Sequence, residues 1–175
     1  MKRVTGVAAV FLVGLVAVGL AVASANGRWS QHANGSMEVP ARDTQGQGQG
    51  IFKLSDDGAS IDYKLIASNI ENIFMAHIHM AAPGANGPIV VWLYPGTAVG
   101  VQGPLGAGRT DGALVEGSFT AANLTGPLAG QPLSALVAAM DGGNAYLNFH
   151  TNDGVAPTNT GPGDFPGGEI RGDLG

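Results

Sequence analysis

The chain has 175 residues with no cysteine, 29 glycines, 10 prolines and a formal net charge of −5 from 8 basic and 13 acidic side chains. That length accommodates one domain rather than two. The lack of cysteine excludes a disulfide scaffold, a thiolate metal site and a cysteine nucleophile, and the absence of any basic block argues against nucleic acid as a partner.

Met1-Lys2-Arg3 is positively charged, residues 7–22 are almost wholly apolar, and Ala23-Ser24-Ala25 offers a small-residue cleavage site. This is the three-part form of a secretory signal peptide. Cleavage is expected after Ala25, giving a signal peptide over 1–25 and one β-rich domain over 26–175. The product then carries no membrane span and is secreted, periplasmic or displayed at the cell surface. The competing reading is an uncleaved anchor, since the apolar run approaches the ~18 residues needed to span a bilayer. Asn34-Gly35-Ser36 and Asn123-Leu124-Thr125 are sequons, used only if the host glycosylates exported chains.

Beyond residue 26, short runs of alternating polarity are separated by Gly, Pro, Asn and Asp, the spacing of an all-β fold. Residues 46–54 alternate. Asp56-Asp57-Gly58 signals a hairpin, and residues 61–65 resume the alternation. Residues 73–80 read as a strand, 83–88 as a turn cluster, and 89–94 as a strand buried on both faces. Residues 95–111 read as a Gly-rich surface loop and 113–119 as a strand. Leu133, Leu136, Val137 and Met140 recur at helical spacing, predicting one short helix over 132–140. Residues 145–151 and 169–174 are the last two strands, joined by a loop with three prolines. The expected fold is a Greek-key-like antiparallel β-sandwich with one short helix.

Side chains alternate between the two faces of a strand. In residues 74–80 this sets Phe74, Ala76, Ile78 and Met80 against Met75, His77 and His79. In residues 145–151 it sets Ala145, Leu147 and Phe149 against Tyr146, Asn148 and His150. In the last strand Ile170, Gly172 and Leu174 oppose Glu169, Arg171 and Asp173. With the apolar faces in the core, His77, His79, His150, Glu169 and Arg171 point outward, and they converge if the three strands are neighbours.

His77 and His79 stand ~6.6 Å apart along an extended strand and project the same way. Two imidazoles so placed reach one metal ion at ~2.0–2.1 Å, and His150 offers a third nitrogen. Such a set suits copper or zinc, with the fourth position left to water or Glu169. The alternative is a structural network, in which neutral imidazoles tie loop carbonyls to Glu169 and Arg171 beneath the 83–88 turn. His32 and Asp141 have no placement from pattern alone. No G-x-S-x-G, P-loop or H-E-x-x-H motif occurs, so no residue is assigned a catalytic role.

Four ordered segments carry a family resemblance: Glu38-Val39-Pro40; Ala76-His77-Ile78-His79 with the run 84–91; Tyr146-Leu147-Asn148-Phe149-His150-Thr151; and the run 166–172. Together they resemble the CHRD domain, named after an extracellular antagonist of growth factors and also found alone in exported microbial proteins. The resemblance spans roughly residues 30–174. It implies an extracellular β-rich domain and, for the solitary microbial form, no established reaction. Two departures stand out. Residues 155–165 lengthen the loop before Gly167, and the animal protein's cysteine-rich modules are absent, so growth-factor binding is not carried over. At the level of spacing alone the chain is also similar to copper–zinc superoxide dismutase, which has a strand His-x-His and a nearby arginine. That similarity implies His77, His79 and His150 as ligands, Arg171 as an anion attractant and a redox activity.

The leading expectation is therefore a secreted binding or structural module, recognising an extracellular ligand or associating with itself through exposed strand edges. The second is a protein that binds copper or zinc through the three histidines.

Overall fold

A computed structural model describes residues 27–175. The signal-peptide expectation for residues 1–25 lies outside the described residues. Among those described, no helix is long and apolar enough to cross a membrane.

The elements in chain order are β1 (Arg28–Asn34), β2 (Gln47–Leu54), β3 (Ser60–Glu71), β4 (Ile73–Met80), β5 (Ile89–Tyr94), β6 (Arg109–Thr120), α1 (Leu133–Asp141), β7 (Ala145–Thr151) and β8 (Ile170–Leu174). Every strand pairing is antiparallel, and the class is all-β with one short helix, as the patterning predicts. The strands form one sheet in the order β5-β4-β7-β8-β1-β2-β3-β6. The two layers expected of a sandwich are two halves of this sheet, curled until its ends nearly meet. Tyr63 of β3 donates its hydroxyl proton to the Leu93 carbonyl of β5 across the interior, and the Thr125 amide donates to the Val90 carbonyl at the seam.

The inner face of β2 reads Gly48, Gly50, Phe52, preceded by the buried Gly46, and the glycines are there for room. A Cβ at Gly48 would sit 2.8 Å from the Phe149 ring, and one at Gly50 would sit 2.6 Å from Leu147. The large residues of β7 thus pack directly on the β2 backbone, in a core with Ile61, Leu65, Ile78, Phe119 and Ile170. Helix α1 plugs one end of the curl with Leu133, Leu136 and Met140, spaced three and four residues apart so that they share one side. Asp141, at its last turn, accepts from the Trp29 indole at 3.0 Å, tying the helix to β1.

Strand β1 has no clean alternation, since only Trp29 and Ala33 are buried in it, and the sequence pattern misses it. Strand β6 begins at Arg109, within the stretch read as loop. At the start of β4 the register shifts between Ile73 and Met75, and Ile73 rather than Phe74 enters the core cluster. From Met75 onward the alternation holds as expected. His32 lies exposed on β1.

Strands β4, β7 and β8 are adjacent. Their outward sides are not at the surface, for every residue of β7 is buried. Three segments form a second layer over them, residues 35–46, 81–88 and 152–168. They are joined to the sheet and to one another by bonds such as Asn86 Nδ2 to the Val39 carbonyl and Arg42 Nε to the Gly168 carbonyl.

Candidate functional site

Among the described residues, the contact between this sheet face and the loop layer gathers the buried histidines, an arginine and most of the unpartnered polar atoms. His77 and His79 come from β4 and His150 from β7, with 0%, 8% and 6% exposure. One ring nitrogen from each lies within 4.8 Å of the others. The ring centres are 5.6 Å apart for His77–His79, 4.8 Å for His77–His150 and 5.8 Å for His79–His150.

Backbone carbonyls orient the rings. His79 Nδ1 lies 2.9 Å from the Gly87 carbonyl and His150 Nδ1 lies 3.0 Å from the Pro166 carbonyl. A carbonyl only accepts, so both Nδ1 atoms carry the proton and both Nε2 atoms keep a lone pair. His77 Nδ1 stands 3.0 Å from His150 Nε2 and must therefore donate to it, which leaves His77 Nε2 with a lone pair as well. A ring proton held by a backbone carbonyl is the usual outer support of a metal-ligating histidine.

Burial keeps all three rings neutral. Desolvation, reinforced by the neighbouring imidazoles, holds His77 down at about 2 and His150 at about 3. His79 is also lowered, by desolvation and by the positive charge of Arg171. Neutral imidazole is the form that binds a metal ion.

The remaining neighbours are aromatic or charged. Trp92 of β5 meets His77 edge-on at 4.3 Å, and Tyr146 stacks on His79 at 4.8 Å and 10°. The Tyr146 hydroxyl accepts from the Gly87 amide at 3.1 Å. Arg171 is fully buried, with Nε on Asp173 at 2.7 Å and Nη1 on the Ala85 carbonyl at 2.8 Å. Asn148 donates to Glu38 at 2.5 Å, and burial raises the Glu38 carboxyl above the ordinary carboxylate range. Among the described residues, the buried side-chain atoms without a hydrogen-bond partner are His77 Nε2, His79 Nε2, Asn148 Oδ1, Arg171 Nη2 and Asp164 Oδ1. All but the last belong to this face.

The structure thus brings His77, His79, His150 and Arg171 to one face but gives Glu169 different work. Its Oε1 accepts from Thr44 at 2.6 Å, and its Oε2 accepts from Thr151 Oγ1 at 2.5 Å and the Gly163 amide at 2.7 Å. With both oxygens held by the loop layer, Glu169 neither joins the imidazole cluster nor pairs with Arg171, whose carboxylate is Asp173. The fourth position considered for Glu169 is left to another donor. Tyr146 and Asn148 share the outward parity of His150 and were legible as neighbours. Trp92 was hidden in an unbroken apolar run.

The family model for the CHRD domain matches residues 29–174. No curated protein and no solved structure matches the chain.

Proposed function

We propose that this chain, which belongs to the CHRD domain family, is an exported binding module, and, from the geometry of its three histidines, that they hold a transition-metal ion, copper or zinc. His77 and His79 ligate through their unpartnered Nε2 atoms, and His150 through the Nε2 that accepts from His77 Nδ1 in the metal-free fold, so binding must open that hydrogen bond. One observation carries the reading: three neutral imidazoles converge within 4.8 Å, two of them braced from behind by carbonyls of separate loops. An imidazole nitrogen buried without a partner costs on the order of 1–3 kcal/mol. His77 and His79 each carry such an atom, and a bound ion relieves both.

The structural reading, three histidines cementing loops to the sheet, accounts for the Nδ1 contacts but not for the two Nε2 lone pairs. Elemental analysis of protein purified without an affinity tag, followed by equilibrium dialysis against zinc and copper, separates the readings. The expected result is one ion per chain, lost in His79→Ala. Absence of binding at any concentration below precipitation would remove the metal and leave the binding module alone.

A further inference from the structure

The pocket supplies three nitrogens, and Glu169 is committed elsewhere. We propose that Met75 is the fourth ligand and that the pocket is selective for monovalent copper, an inference that rests on the metal reading above.

The placement follows from register. Strands β4 and β7 pair as Met75 with His150, His77 with Asn148 and His79 with Tyr146, without a shift from Met75 to Met80. The parity that turns both β4 imidazoles away from the core turns the Met75 side chain the same way. Directly opposed residues of an antiparallel pair have their Cβ atoms ~4.5–5.5 Å apart. The unbranched methionine side chain, with three rotatable bonds, spans that gap and adapts to what it meets. Met140 lies within the apolar core and Met80 packs against it, whereas Met75 does neither and is half-buried on the histidine side.

The donor chemistry selects the ion. Thioether and imidazole are soft to borderline donors, and thioether in particular favours monovalent copper. Hard ions want charged oxygen, but both Glu169 oxygens are taken and Glu38 is held by Asn148 and the Val39 amide, so the unpartnered oxygen on this face is the neutral amide Oδ1 of Asn148. Charge points the same way. The four donors are neutral, and the desolvation cost of an ion grows steeply with its charge. The Arg171 guanidinium already lies buried on this face. A single positive charge is cheaper to place there than a double one.

The test compares wild type with Met75→Leu, a near-isosteric change that removes the sulfur. Both proteins are titrated with copper(I) in anaerobic buffer, with silver(I) as its redox-inert stand-in, and with zinc(II). The ε-methyl groups of methionine carry ¹³C for NMR. Wild type is expected to prefer copper(I) and silver(I). The variant loses affinity for both by about 10-fold or more, since a lost ligand costs at least what a lost supporting contact does. Its zinc affinity stays as in wild type, which also shows that the pocket is intact. The methyl signal absent from the variant is the one that shifts in wild type when silver is added. If copper(I) and zinc bind but the variant matches wild type for copper(I), Met75 is not a ligand and the three-histidine centre stands without it. If no metal binds wild type, the metal reading falls and takes this inference with it.

Discussion

The guanidinium of Arg171 lies 3.6 Å above the centre of the Tyr146 ring. His79 stacks on the same ring, and because β7 runs between β4 and β8, the two groups take its opposite faces. A column of Arg171, Tyr146 and His79 therefore crosses three strands, with His79 directly opposite Tyr146 and Arg171 reaching it diagonally from its place opposite Asn148. The cation holds the aromatic ring, and the ring sets the plane of an imidazole whose own Nδ1 is fixed by Gly87.

Substituting Arg171 tests that column. Arg171→Lys keeps the charge but loses the planar fork that bonds Asp173 and Ala85 while lying flat on Tyr146. A desolvated cation–π contact contributes about 2 kcal/mol, so a loss of at least that size is expected in urea unfolding. An unchanged midpoint would mean that the column carries no stability.

Acid should weaken the fold through the histidines. Their pKa values in the fold lie below the unfolded value of about 6.5. The stability they contribute is therefore complete above that pH and is lost as the pH falls towards 3. At pH 5 keeping His77 and His150 neutral costs about 2 kcal/mol each relative to pH 8, and His79 acts in the same direction. Glu38 works the other way. Its carboxyl is raised by burial, so its protonation in acid favours the fold and offsets part of the loss. Denaturation midpoints measured from pH 8 to pH 4 should fall steadily below pH 6.5, and His77→Gln should flatten the curve. A flat wild-type profile would contradict the buried, neutral state.

Metal should act on stability only through the native pocket. At a free ion concentration 100 times the dissociation constant, a ligand specific for the folded state adds about 2.7 kcal/mol. Wild type should melt higher with metal than with chelator, whereas His79→Ala should melt at one temperature in both. If chelator leaves the wild-type temperature unchanged and His79→Ala lowers it equally in either buffer, the histidine is purely structural.

Glu169 is expected to be a keystone of the loop layer. Glu169→Gln exchanges one accepting oxygen for a donating amide that faces Thr44, Thr151 or Gly163. Hydrogen bonds to a charged group contribute about 1.5–3 kcal/mol, so a loss of about 2 kcal/mol should appear, with faster proteolysis within residues 155–165. Cleavage at the wild-type rate would show that other contacts hold that loop.

The pocket was legible because period-two alternation needs no tertiary information. His77 and His79 share a parity, His150 belongs to its own strand's polar set, and adjacency of β4 and β7 does the rest. Alternation names a face but does not say what covers it. Tyr146, Asn148 and His150 read as an outward, polar set, yet all three are buried, because the covering segments come from residues 35–46 and 152–168, remote in sequence. The network expected to join the histidines to both Glu169 and Arg171 divides for a related reason. Residues two apart on a strand do share a face, but the Glu169 carboxylate met the Thr44 hydroxyl and the Gly163 amide from the loops and the Thr151 hydroxyl at the end of β7, and Arg171 turned to Asp173 on its other side. Strand β1 escaped notice because its inward positions hold only Trp29 and Ala33, too few for a pattern.

Enclosure of β7 on both faces has a kinetic corollary. Its amides are bonded to β4 on one side and largely to β8 on the other, with the helix-plugged core beneath and the loop layer above. No partial opening exposes them unless the loops lift and a neighbouring strand parts, so they should be among the last to take up deuterium. The amides on the outer rim of β6, a strand paired on one side only, should exchange first, and the ranking of the two strands would map the molecule's stiffness from its walled centre to its open margin.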